Sequence, residues 1–217
     1  YIYHYTMSTA WDVETLSYVG NTTGRLSVQT RESEPQDVFF KPDGTKLFVV
    51  GSLGDEVNEF SLSTAWNIST ATFTTNFSLS SQDTNPTSIF FHPDGTTMWI
   101  IGATTDDIFE YTLTTAWDVS TASYSGNSWA ASSQDSSPLG FFIDASGTRM
   151  YLLGGQTDDV FQYSIGSIAT ITYDDSIQFS GGTAPTSPEV GETDVLSFTT
   201  RDNGTTYSGI LAIDGAK

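Results

Sequence analysis

The stretch Pro35-Gln36-Asp37-Val38-Phe39-Phe40-Lys41-Pro42-Asp43-Gly44-Thr45 recurs as Pro86-Thr87-Ser88-Ile89-Phe90-Phe91-His92-Pro93-Asp94-Gly95-Thr96. It returns, more diverged, as Pro138-Leu139-Gly140-Phe141-Phe142-Ile143-Asp144-Ala145-Ser146-Gly147-Thr148. The leading prolines lie 86 − 35 = 51 and 138 − 86 = 52 residues apart, and so regular a period marks duplicated supersecondary units. Each copy runs an apolar strand into a tight turn. In Pro-Asp-Gly-Thr, proline fixes φ, aspartate bonds its own backbone and glycine accepts positive φ, so the segment predicts a hairpin between first and second strands.

Working outward, a second apolar run ends in glycine at 47–51, 98–102 and 150–154. A third opens on acidic residues and alternates: Asp55-Glu56-Val57-Asn58-Glu59-Phe60, Asp106-Asp107-Ile108-Phe109-Glu110-Tyr111 and Asp158-Asp159-Val160-Phe161-Gln162-Tyr163. Thr-Ala-Trp-Asp/Asn follows at residues 9–12, 64–67 and 115–118, and a more polar fourth strand is expected around 16–19, 71–74 and 122–125. Four strands per unit, with inner strands apolar on both faces and a polar outer strand, are what radial blades require. The chain therefore predicts an all-β protein of β-propeller-type four-stranded blades, each about 51 residues.

Residues 1–7 align with the third strand at 106–113, so the chain opens partway through a blade. It then offers two complete blades and a last blade whose outer strand is not marked. Propellers have roughly 4 to 8 blades, so the ring is incomplete in this chain. Blades ahead of residue 1 are favoured over completion by several chains, because a natural chain rarely begins mid-strand without methionine. The period ends near residue 165. Residues 1–165 are read as propeller blades and residues 166–217 as a small C-terminal β module: a Pro/Gly-rich connector through Pro185 and Pro188, then a hairpin with Asn203-Gly204 as its turn.

Composition narrows the chemistry. A net charge of −19, from 26 acidic and 7 basic residues, opposes nucleic-acid binding, which depends on Lys and Arg displacing counterions. Neither nucleic acid nor anionic membrane is expected as a partner. The chain has no cysteine, which excludes disulfides, zinc thiolates and thiol catalysis. No apolar run reaches the roughly 18 to 20 residues that span a bilayer, and Tyr1-Ile2-Tyr3-His4-Tyr5 reads as a strand rather than a signal peptide.

The candidate sites are few. His4 and His92 are the only imidazoles, and His92 fills a slot held by Lys41 and Ile143 elsewhere, which points to an exposed turn flank. The acidic residues Asp55, Asp106, Asp107, Asp158 and Asp159 are Ca²⁺ candidates, although their presence in every unit favours a structural role at a strand start. Trp11, Trp66 and Trp117 repeat and are expected to fill the space between blades. Trp99 and Trp129 are the candidate ligand contacts, Trp129 because it has no aromatic counterpart near Leu79. No catalytic residue and no cofactor are expected. Asn21, Asn67, Asn76 and Asn203 head glycosylation sequons that a chain rich in Ser and Thr contains by chance.

The stretch Asp106-Asp107-Ile108-Phe109-Glu110-Tyr111-Thr112-Leu113-Thr114-Thr115-Ala116-Trp117-Asp118-Val119-Ser120-Thr121-Ala122-Ser123-Tyr124, with Ser133-Gln134-Asp135 and Pro138, resembles a repeat of marine bacterial and phage-encoded propeller proteins. The likeness covers roughly residues 1–165 and implies a propeller without naming an activity. The C-terminal segment resembles short modules of phage tail-fibre and other virion proteins. Together they imply a non-enzymatic virion structural or binding protein, a fibre, spike or appendage component. It would contact other virion proteins, copies of itself, or a host-surface glycan or protein. A secreted bacterial surface or adhesion propeller is the alternative, and a propeller hydrolase or lactonase the next.

Overall fold

A computed structural model describes residues 1–165 and the strand segments 177–179, 193–200 and 207–216. The chain divides into two compact units, Tyr1–Phe142 with Tyr151–Gln162, and Ile143–Met150 with Tyr163–Lys217.

In the first unit the opening strands are β1 (Ile2–Tyr3), β2 (Tyr5–Met7), β3 (Leu16–Tyr18) and β4 (Arg25–Leu26), paired as β2-β3 and β1-β4. The first full repeat forms β5 (Pro35–Phe40), β6 (Lys46–Gly51), β7 (Glu56–Leu62) and β8 (Ala71–Ser78), the next β9 (Pro86–Phe91), β10 (Thr97–Gly102), β11 (Asp107–Leu113) and β12 (Ala122–Ala130). Both are four-stranded antiparallel meanders in chain order. The third repeat contributes β13 (Pro138–Ile143), β14 (Arg149–Gly154) and β15 (Val160–Ser164), a sheet of three. The protein is thus all-β, built of propeller blades that form an incomplete ring. The fourth strands, β8 and β12, run longer than the sequence suggests, because each crosses a bulge and pairs on to the start of the third strand.

Why the inner strands are apolar on both faces is visible in β6. Leu47 and Val49 point toward the first, two-stranded blade, where they join Val28, Phe60 and Leu62. Phe48 and Val50 point the other way, into a cluster with Phe91, Ile100, Tyr111 and Trp117 of the next blade. The first strands β5 and β9 lie side by side, as innermost strands must, whereas the outer β8 meets the short 3-10 turn Val119–Thr121 of its neighbour. The meander sends the first turn and the Thr-Ala-Trp connection to one end of every blade, and the second turn and inter-blade linker to the other.

In the second unit, β17 (Thr193–Thr200) and β18 (Tyr207–Ala216) pair as an antiparallel hairpin, and β16 (Ile177–Phe179) adds parallel to β18. The expected Asn203-Gly204 turn and the Pro185 and Pro188 connector lie outside the described residues, while Ile177-Gln178-Phe179, read as connector, is a strand. Among the described residues no helix is long and apolar enough to cross a membrane.

Candidate functional site

At the linker end, three carboxylates that sequence reasoning passed over are buried in equivalent places: Glu32, Asp83 and Asp135. Asp83 accepts from the backbone N–H of Asn85, Thr104 and Thr105 and from the Thr105 hydroxyl. Asp135 repeats this set with Ser137, Gln156 and Thr157, and Glu32 holds the N–H groups of Glu34, Leu53 and Gly54. Each carboxylate ties the linker to the second turn of the blade that follows. The strand-ending glycines make room for it. A Cβ on Gly51, Gly102 or Gly154 would meet Glu32, Asp83 or Asp135 at 2.4, 2.3 and 2.3 Å. Burial pushes the Asp135 carboxyl up, and the hydrogen bonds from Thr157, Ser137 and Gln156 outweigh it and hold it at about 2. The available signal was the recurring Ser-Gln-Asp at 81–83 and 133–135.

The acidic pairs sit at the same end. Asp55, Asp106 and Asp158 adopt φ of 50, 58 and 59°, so the first acid of each pair is the left-handed residue of the second turn. The carbonyls of Asp55 and Asp106 accept from Leu79 and Ala131, which closes the outer strand onto that turn. Asp107 is pushed above the ordinary carboxylate range by burial and by the charges of Asp106 and Asp83. Among the described residues no three His, Asp or Glu side chains converge as a metal site.

The tryptophans of the Thr-Ala-Trp motifs occupy the opposite end. Trp11, Trp66 and Trp117 have φ of 65, 64 and 63°, unusual for a bulky side chain. The indoles of Trp66 and Trp117 lie directly on Gly44 and Gly95 of their own blade's first turn, and the backbone N–H groups of the two tryptophans donate to those glycines' carbonyls at 2.9 Å. Trp117 also reaches across the blade boundary to Phe39 and Phe48, with centroids 6.3 and 6.2 Å away. The expectation that all three fill space between blades is corrected: Trp117 does, but Trp66 is half-exposed and Trp11 almost wholly exposed, because none of the described residues supplies their equivalents of Phe39 and Phe48.

Two polar latches cross the same boundary. The Asp37 carboxylate accepts from the Ser88 hydroxyl and the Ile89 N–H. The buried Glu59 accepts from Lys46 Nζ at 2.6 Å and from Val119 N–H at 3.0 Å, while Lys46 Nζ also donates to the Trp117 carbonyl.

Trp99 and Trp129 are not brought together: they stand on β10 and β12, with β11 between. The Trp99 indole donates to Glu110, which also accepts from Asn127. Trp129 does have an aromatic counterpart. Leu79 and Ala131 make the same bond, so Trp129 corresponds to Phe77, and the bulge in β12 hid that alignment. His92 lies on its exposed turn beside Asp94, Nδ1 to Oδ1 2.8 Å, and His4 lies between β1 and β2, where its backbone N–H donates to the Gly24 carbonyl. The first blade instead carries a patch of Tyr1, Tyr3, Tyr5 and Tyr18, with ring centroids 6.3 Å apart for Tyr1 and Tyr3, 6.0 Å for Tyr3 and Tyr18 and 5.3 Å for Tyr5 and Tyr18, and the Arg25 guanidinium 4.5 Å over Tyr1.

No family model matches this chain, and no curated protein matches it. Similar solved structures include a Bacteroides fragilis protein assigned as a 6-phosphogluconolactonase, at 14% identity and TM-score 0.48 over 70% of this chain. The periplasmic gluconolactonase of Pseudomonas aeruginosa follows at 12%, TM-score 0.44 and 70%. The β-propeller domain of Myceliophteria thermophila Cps50 (Swd1) stands at 9%, 0.43 and 61%. This chain spans 38% of each of the three. The expectation that the chain is not an enzyme is corrected here: gluconolactonases stand among the structures it resembles. At these identities and TM-scores the likeness transfers no activity.

Proposed function

We propose that this chain is a propeller section of an extracellular appendage that works by recognition and assembly, on a virion fibre or spike first and on a secreted bacterial surface protein as the alternative. The observation that carries the reading is the half-exposed patch of Tyr1, Tyr3, Tyr5 and Tyr18 with Arg25. Rings of this kind, apolar on the face and polar at the tip, combined with an arginine, are what recognition surfaces use. The repeated acids, by contrast, serve the blades themselves. The resemblance of residues 106–124 to phage propeller repeats, and of the C-terminal segment to tail-fibre modules, supports the virion placement. Trp129, at the end of β12, is the candidate contact for a host-surface glycan.

Mass spectrometry of purified particles and of washed cell envelopes, both from a culture making the protein, tests this. Enrichment in particles is expected. Enrichment in envelopes alone selects the bacterial surface alternative, and recovery only from the cytosol overturns both.

Hydrolysis is the second reading, favoured by Asp107, whose raised carboxyl is the kind of group that donates a proton in general acid catalysis. Turnover of a gluconolactone that is lost in Asp107→Asn would replace the first reading.

A further inference from the structure

We draw no further inference here: the strongest candidate, the side-chain cluster of Phe90, Trp99, Glu110 and Asn127 on the face that the second complete blade turns toward the third repeat, lies on a blade-to-blade face whose sister residues Phe39, Phe48 and Glu59 are covered by the next blade, and nothing among the described residues shows what covers it.

Discussion

Asp135 is charged although it is almost entirely buried, and the donors around it explain how. Its carboxyl, held at about 2, lies below the roughly 3.9 of an unfolded chain. A depressed carboxyl stabilises the fold above the unfolded pKa, and that contribution is lost as the pH falls from about 4 through about 2. Asp135→Asn should therefore melt earlier than the parent at neutral pH, with the gap closing as the pH approaches 2. A gap independent of pH would mean that shape rather than charge matters there. Asn58 is the opposite case. It is fully buried where sister repeats carry Phe109 and Phe161, and neither of its amide atoms has a partner among the described residues. An unsatisfied buried polar group costs about 1–3 kcal/mol. Asn58→Leu, similar in shape and free of that cost, should raise stability by an amount in this range in urea unfolding, and a loss would show that the amide is satisfied in solution.

At the scale of the element, the Thr-Ala-Trp connection holds a blade together through one left-handed tryptophan. The αL conformation costs roughly 1–2 kcal/mol for an L-residue, offset in Trp117 by its bond to Gly95, its seat on that glycine and its contacts with Phe39, Phe48 and Phe91. Trp117→Ala should cost about 3–5 kcal/mol, the range for a buried large-to-small change. Trp66→Ala should cost well below that, because its indole touches Phe40 and Gly44 but no preceding blade; equal losses in thermal unfolding would count against the asymmetry. This difference shows what the sequence could and could not disclose. The strands of the two full blades were legible because hairpin turns and apolar runs are local. Trp66 and Trp117 look alike in sequence, and only the neighbouring surface separates them. Phe77 and Trp129 were misaligned because a bulge adds a residue without changing the pattern. The linker carboxylates were passed over because a buried acid and a solvated one are written with the same letter.

For the whole molecule, the dominant long-range quantity is its net charge of −19. Much of it collects at one end of the blades, where the linkers and second turns bring Glu32, Asp55, Asp83, Asp106, Asp107 and Asp135. Self-repulsion on this scale opposes the compact state and is screened by salt, with a Debye length of roughly 10 Å at 0.1 M falling to about 3 Å at 1 M. The melting temperature should therefore rise with NaCl, and NaCl, MgCl₂ and CaCl₂ should act alike when compared at equal ionic strength. The acidic pairs decide whether they do. Asp55, Asp106 and Asp158 shape the turn with their backbone conformation, and the buried carboxylates beside them already have protein donors, so the expected action of Ca²⁺ is screening. A saturable rise in melting temperature at micromolar Ca²⁺, absent with Mg²⁺ and abolished by Asp106→Asn with Asp107→Asn, would instead make those turns a binding site, since Ca²⁺ takes six to eight oxygens that Mg²⁺ cannot match.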